Sequence, residues 1–345
     1  MIHLLRWILL PASLIYQFII WTRNILYDKG IFKSQSFSIP TIVIGNLAIG
    51  GTGKSPMTEY LIRLLHDKYK IATLSRGYGR KTKGFKYVEI DSTALEIGDE
   101  PLQFKRKFPK LTVAVSEDRC YGVNILQDKH DLIILDDAYQ HRKLNPGYSI
   151  LLFDFQSLFQ TSLTLPTGNF RDNFSASKRA SLIIITKCPD YISDKQKQHI
   201  EHKIRKHNNC PIFYTKISYS TAVDIRGNKL SNQLEKFDIL LLSGIANPKP
   251  LISHLSKQNT VHTIVFPDHH NYSLADFEKV KKSFDELQSS NKIIITTEKD
   301  MQRIDDHVFA NYPLYYIPIE LQSVDKQQLT FDHFIENYLN SVNEY

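Results

Sequence analysis

Residues 39–56 read Ile39-Pro40-Thr41-Ile42-Val43-Ile44-Gly45-Asn46-Leu47-Ala48-Ile49-Gly50-Gly51-Thr52-Gly53-Lys54-Ser55-Pro56. The run Ile39 to Ile44 has the apolar, β-branched character of a buried strand. The glycine-rich turn after it opens a segment, Met57 to Leu65, that is apolar at helical spacing. Strand, glycine turn and helix in this order cradle a nucleotide's phosphates. Backbone N–H groups of Gly50, Gly51, Thr52 and Gly53 turn inward, Lys54 reaches the β/γ-phosphates, and the Ser55 hydroxyl sits on Mg²⁺. The usual spacing wants glycine at position 48, where this chain has Ala48, so the turn there must suit a residue with a Cβ.

Further strand-like runs follow at Ile71–Ser75, Leu111–Val115, Leu132–Asp136, Ser149–Asp154 and Leu182–Thr186, several separated by helical patterns. Short apolar runs alternating with helices imply a mostly parallel sheet covered on both faces, which makes this an α/β, doubly wound P-loop domain. After the polar stretch around Arg226 to Lys236 a second series begins: Ile239–Ser243, Thr263–Phe266, Ile293–Thr297 and Leu314–Ile317, with helices at Leu251–Lys257 and Leu274–Leu287. The expected organisation is an N-terminal helix over 1–36, a P-loop core over 37–230, and a smaller α/β domain over 231–345 that closes a two-substrate cleft.

The chain has 345 residues and a formal net charge of +7, which suits two domains and anionic partners such as nucleotides or a membrane surface. The basic residues are scattered, without the aromatic interleaving of a nucleic-acid surface, so no nucleic-acid partner is expected. Cys120, Cys188 and Cys210 stand far apart, with neither zinc-site pairing nor the density of a disulfide framework, and read as reduced and structural.

Trp7 to Trp21 is almost wholly apolar but is interrupted by Pro11 and Gln17 and falls short of the roughly 20 residues that span a bilayer. At 100° per residue His3, Arg6, Ser13, Gln17, Asn24 and Asp28 share one narrow stripe, leaving a broad apolar face between Arg6 and Arg23. This pattern predicts a helix lying in a membrane surface. A secretory signal would need a small-residue cleavage site that does not follow, and the remaining reading is a helix packed on the protein's own core.

Leu132 to Asp137 is an apolar strand ending in two carboxylates, the arrangement that holds Mg²⁺ opposite the phosphate loop's hydroxyl. Gln140 and His141 follow on the same turn. Arg76 and Arg80, in Ser75-Arg76-Gly77-Tyr78-Gly79-Arg80, stand where a guanidinium can take a phosphate. Either Asp99 or Glu100, in Gly98-Asp99-Glu100-Pro101, can accept a hydroxyl proton, though Asp99 also reads as a helix cap. In Asp268-His269-His270 an imidazole can face that acid or join a metal site. Thr297-Glu298-Lys299-Asp300 reads as a helix cap with solvated charges.

Together these stretches, with Pro166-Thr167-Gly168-Asn169-Phe170-Arg171-Asp172, resemble the tetraacyldisaccharide 4'-kinases of lipid A biosynthesis, in order over nearly the whole chain. The resemblance implies a membrane-associated P-loop kinase at the cytoplasmic face of the inner membrane. It would transfer the γ-phosphate of ATP, with Mg²⁺, to the 4'-hydroxyl of a tetraacyldisaccharide 1-phosphate. By position it implies Lys54 and Ser55 at the phosphates and Mg²⁺, Asp136 and Asp137 at the metal, Asp99 as the base and His269 as its partner. Arg76, Glu100, Arg119, Gln140, Arg171, Asp172 and His270 would support the cleft. Two departures stand out: Ala138-Tyr139 where the family favours Gly-Leu/Phe, and Asp172 where it favours Glu. The rival reading is a P-loop NTPase switch or chaperone, for which Thr186-Lys187-Cys188-Pro189-Asp190 only loosely matches a guanine-reading motif.

Overall fold

The computed structural model describes residues 6–230, 237–324 and 328–343. The larger sheet comprises β1 (Thr41–Asn46), β2 (Ile71–Ser75), β3 (Lys86–Tyr87), β4 (Thr112–Val115), β5 (Leu132–Leu135), β6 (Tyr148–Asp154), β7 (Leu182–Thr186), β8 (Ile212–Tyr219) and β13 (Ile319–Ser323). Its order is β13-β8-β7-β6-β1-β5-β2-β4-β3, parallel except at the two edges, where β13 and β3 run antiparallel to their neighbours. The central strands β1, β2, β5 and β7 are buried at every residue, which is why they read as continuous apolar runs rather than as alternating ones. Helices on both faces complete two apolar layers. One holds Val43, Leu74, Leu135 and Phe153; the other holds Ile42, Leu61, Ile134 and Leu152.

The smaller sheet, β10-β9-β11-β12, is parallel throughout and comprises β9 (Asp238–Ser243), β10 (Thr260–Val265), β11 (Lys292–Thr297) and β12 (Leu314–Ile317). The expected boundary at 231–345 needs correction here. Only the segment to Ile317 builds the smaller domain; β13 then pairs with β8, and the helix Gln328–Asn343 packs Phe331, Ile335 and Leu339 into the core beside Ile42 and Leu61. Tyr60 donates to Asp332 at 2.6 Å and Lys68 pairs with Glu336 at 2.6 Å, so the chain's end is fastened to the phosphate-loop helix Lys54–Leu65.

The N-terminal helix Leu10–Asp28 turns its polar stripe inward. Ser13, 3% exposed, donates to Thr167 Oγ1 at 2.8 Å; Asn24 donates to Asp172 Oδ1 at 2.8 Å; Arg23 donates to the Gln140 carbonyl at 2.7 Å; and Asp28 pairs with Arg142 and Lys178. Its apolar side faces outward, with Trp7, Ile8, Leu14, Ile15, Phe18, Ile19 and Trp21 all more than half exposed. Packing on the protein's own core through that apolar face is therefore excluded. Gln17 is exposed rather than docked, and His3 lies outside the described residues. No helix among the described residues is long and apolar enough to cross a membrane.

Candidate active site

The carboxyl ends of the parallel strands converge on one edge, the usual ligand edge of an open α/β sheet. After β1 the phosphate loop closes on Gly53, the helix cap, whose φ of 84° a side chain would strain. Ala48 bridges to Phe170 and is absent from the residues with positive φ, so this loop has no need of the usual first glycine. Asn46 Nδ2 donates to Thr52 Oγ1 at 2.7 Å and fixes the loop from beneath.

Lys54 Nζ lies 3.8 Å from Asp137 Oδ2, and Arg171 holds both oxygens of the same carboxylate with its guanidinium fork. Asp137 takes a left-handed backbone, φ 47°, one residue before the Ala138 at which the family's pattern has glycine. Asp136, 1% exposed, accepts from Thr58 Oγ1 at 3.1 Å. Burial, and then the charges of Glu100 and Asp137, push its carboxyl up to about 7 against the pull of Lys54. Asp137 is moved the other way: Lys54 and Arg171 outweigh its burial and hold its carboxyl below the usual range. Ser55 Oγ donates to Glu100 Oε1 at 3.0 Å. The Ser55 hydroxyl and the carboxylates of Glu100, Asp136 and Asp137 form an all-oxygen donor set, which fits a hard divalent cation such as Mg²⁺.

Asp99 stands on the helix Asp99–Lys107 as its first helical residue, and Gly98, φ 92°, takes the cap position; the cap reading of Asp99 is thereby corrected. His269 Nδ1 is 3.3 Å from Asp99 Oδ2, Arg303 pairs directly with the same oxygen, and Lys299 Nζ lies 3.9 Å away. Burial alone would raise this carboxyl, but the His269 hydrogen bond and the Lys299 and Arg303 charges bring it down to about 2. His269 sits at φ 58°, a strained turn that aims its ring across the domain boundary, and Tyr78 packs on it with ring centres 5.1 Å apart. His270 turns away, stacking on Phe266 and meeting Asp276 at 3.1 Å. It therefore stands apart from the acid; Asp268 Oδ2 is 3.9 Å from His269 Nε2, but no third ligand joins them among the described residues, so a metal site at Asp268-His269-His270 has no support.

Arg119, 5% exposed, reaches the Asp137 carbonyl at 3.4 Å, and burial lowers its guanidinium to about 10. Arg76 is exposed beside it, with no ion pair among the described residues, and is open to an anion. Arg80 is committed to Glu117 at 2.6 Å. Gln140 donates to the Asn46 carbonyl beneath the loop. Asp172, expected in the cleft, faces away: its carboxylate is taken by Asn24 and Arg179, so it anchors the N-terminal helix. Thr297 does cap the helix Glu298–Met301, but the charges read there as solvated are not: Glu298 and Asp300 are buried and Lys299 stands in the site. Arg303, in the turn after that helix, is the residue that sequence reasoning passed over. Beside the phosphate loop lies a cavity of about 540 Å³, lined by Gly50, Gly51, Thr52, Asp154, Ser157 and Lys187 among others.

The family profile described as LpxK, tetraacyldisaccharide-1-P 4'-kinase, matches residues 5–340. The tetraacyldisaccharide 4'-kinases of Flavobacterium johnsoniae and Flavobacterium psychrophilum are each 43% identical to this chain, with 98% of both chains covered in each case. The crystal structure of LpxK from Aquifex aeolicus in complex with ATP superposes with a TM-score of 0.76 at 28% identity, covering 97% of this chain and 99% of that one. The two-domain α/β fold, the phosphate loop and these likenesses over the full length agree, and the chain belongs to the tetraacyldisaccharide 4'-kinase family.

Proposed function

We propose that this kinase, which uses ATP to phosphorylate the 4'-position of a tetraacyldisaccharide 1-phosphate in lipid A biosynthesis, works by in-line transfer with Asp99 as proton acceptor. The carrying observation is the convergence of Lys54, Ser55, Asp136, Asp137 and Asp99 on one sheet edge, with His269 and Arg303 meeting Asp99 from the smaller domain. The phosphate loop and Lys54 hold the β- and γ-phosphates, and the cavity beside the loop has room for the nucleoside. Ser55, Asp136 and Asp137 would hold Mg²⁺, which supplies charge neutralisation at the phosphates. The acceptor oxygen forms its bond to γ-phosphorus while the bond to the bridging oxygen breaks. The hydroxyl proton passes to Asp99, and ADP leaves with the bonding pair.

His269 braces Asp99 from the smaller domain: its Nδ1 is 3.3 Å from Asp99 Oδ2 and 2.9 Å from Arg303 Nη2, and its Nε2 faces the Lys299 ammonium at 3.1 Å. Arg171 and Arg119 brace Asp137, Gln140 supports the loop, and Arg76, without an ion pair among the described residues, is a cation for a phosphate of either substrate. The outward apolar face of Leu10–Asp28 suits an acceptor dissolved in a lipid leaflet and supports the reading of an enzyme at the cytoplasmic side of the inner membrane, where ATP is.

The test is to supply the purified protein with Mg-ATP, with and without tetraacyldisaccharide 1-phosphate in mixed micelles, and follow the lipid by mass spectrometry. Phosphate on the 4'-position, dependent on Mg²⁺, is expected. Nucleotide hydrolysis indifferent to the lipid, with none of it phosphorylated, would overturn the reading.

A further inference from the structure

Lys299 faces two parts of the site at once: its Nζ is 3.1 Å from His269 Nε2 on the Asp99 side, and it also stands near Glu100. Arg303 already pairs directly with Asp99 Oδ2, whereas Lys299 Nζ stands 3.9 Å from that oxygen and 3.9 Å from Glu100 Oε1, beyond hydrogen-bond length for either. The Glu100 oxygen it faces is the one that accepts from Ser55 Oγ at 3.0 Å. A single carboxylate oxygen thus separates the phosphate loop's metal-site hydroxyl from an ammonium carried by the smaller domain. Lys299 is one-quarter exposed, and its stem follows the helix Glu298–Met301, capped by Thr297 through the Asp300 N–H.

Charge arithmetic gives the position its meaning. In the substrate-free cleft Arg303 faces Asp99 and Asp300, and Lys299 faces Asp99 and Glu100. Once Asp99 has accepted the hydroxyl proton, Arg303 keeps Asp300 and Lys299 is left facing Glu100. Arg303 is 6% exposed and held by Asp99, with the His270 carbonyl and Asp300 close by, so it stays. Lys299, one-quarter exposed, has one close contact among the described residues, His269 Nε2 at 3.1 Å, and its flexible stem lets the ammonium leave it. With Ser55 turned from Glu100 to Mg²⁺, as the proposed function has it, Ser55 and Lys299 would flank the γ-phosphoryl oxygens across the place Glu100 Oε1 now takes.

We propose that Lys299 is a catalytic residue whose ammonium contacts the γ-phosphoryl oxygens as they transfer, delivered by the smaller domain, with Glu100 occupying that contact in the empty cleft. This rests on Ser55 as the metal hydroxyl and Asp99 as the base. It supplies charge to the phosphoryl group in flight, where a preorganised cation acts most strongly.

The experiment compares the wild type with Lys299→Met and the charge-keeping Lys299→Arg. It reads kcat, acceptor KM, and the affinity for Mg-ADP with and without aluminium fluoride, which mimics the transferring phosphoryl group. For Lys299→Met we expect kcat to fall roughly 100-fold or more, with Mg-ADP affinity and acceptor KM within about threefold. The tightening produced by aluminium fluoride should vanish along with kcat, and Lys299→Arg should recover part of both. If kcat stays within threefold of the wild type, or falls while the aluminium fluoride tightening persists, the contact does not exist. A Lys299→Arg enzyme as impaired as Lys299→Met would also overturn it. The wild-type control separates the failures: a wild type that leaves the disaccharide unphosphorylated overturns the underlying reading, whereas a working wild type with an unaffected Lys299→Met overturns this contact alone.

Discussion

Replacing Lys107 by methionine probes how the two domains are fastened. Lys107 Nζ lies 2.6 Å from Glu59 Oε2 and 2.8 Å from Glu298 Oε1, and the two carboxylates are 1% and 7% exposed. The three residues belong to the phosphate-loop helix, the Asp99 helix and the smaller domain, so one ammonium ties together the elements that hold Lys54, Asp99 and Lys299. Gln103 and Arg63 also face Glu59, at 2.8 and 3.4 Å, whereas Glu298 Oε2 has no hydrogen-bond partner. Burial, and then the Glu59 charge, push the Glu298 carboxyl up to about 7 even with the lysine present. Methionine keeps the aliphatic stem and removes the cation. Breaking a buried pair from one side costs roughly 3–5 kcal/mol, and Arg63 places this case at the lower end. A proton on Glu298 relieves the cost. Its folded pKa lies above the unfolded value of 4.5, so the folded state holds a proton that the unfolded state releases, and stability falls as pH rises through that window. Each pH unit over which the variant keeps a proton the parent has lost contributes about 1.4 kcal/mol. Over roughly one and a half units that makes about 2 kcal/mol. Urea unfolding should therefore find Lys107→Met less stable than its parent by about 3 kcal/mol at pH 8.5 and about 1 kcal/mol at pH 6, with Glu298→Gln recovering most of the loss at the higher pH. A deficit below about 1 kcal/mol at pH 8.5, or one that does not change with pH, would refute the reasoning.

Three further outcomes follow from the site and the N-terminal helix. Arg303→Gln removes a cation that keeps Asp99 ionised, so the Asp99 pKa rises from about 2 and the acid limb of the kcat profile moves to higher pH; a profile superposable on the wild type between pH 4 and 8 contradicts this. Ile15→Asp with Phe18→Asp removes two exposed apolar side chains, each worth about 1.5 kcal/mol or more on burial. Vesicle binding should weaken at least tenfold per site while the thermal midpoint stays put, since neither side chain is packed inside. Lys54→Ala should weaken Mg-ATP binding as well as turnover, measured by calorimetry against the wild type; unchanged affinity would separate Lys54 from the phosphates.

The central strands and the site-bearing turns were legible because each is a run of side chains buried on both faces, followed by residues whose chemistry is local. What escaped depends on contacts distant in sequence. β8 (IFYTKISY) and β13 (IELQS) mix apolar and polar residues at the sheet edge and are mostly half-buried or exposed, so they lack a continuous apolar signal. No local pattern announces that residue 319 crosses back to residue 219. Composition could suggest an acid–imidazole pair but not which histidine forms it; the left-handed turn at His269 decides that, and it needs the fold around it to hold the strain. Asp172 was misplaced for a similar reason. Its neighbour Arg171 does reach the cleft, but the chain bends at Arg171 and Asp172 and sends Asp172 to the N-terminal helix instead. Arg303, 204 residues from Asp99, is fixed by a helical turn whose partner the sequence does not name.

The measurement that bears most directly on the account is the turnover of Asp99→Asn, an isosteric change at the proposed proton acceptor, alongside its Mg-ADP affinity. The account predicts a kcat lower by roughly 10²–10⁴ with nucleotide affinity within about threefold, because Asp99 acts on the acceptor hydroxyl and not on the phosphate loop. Full turnover by Asp99→Asn would remove the base from the mechanism and leave the Asp99–His269–Arg303 cluster as a domain contact only.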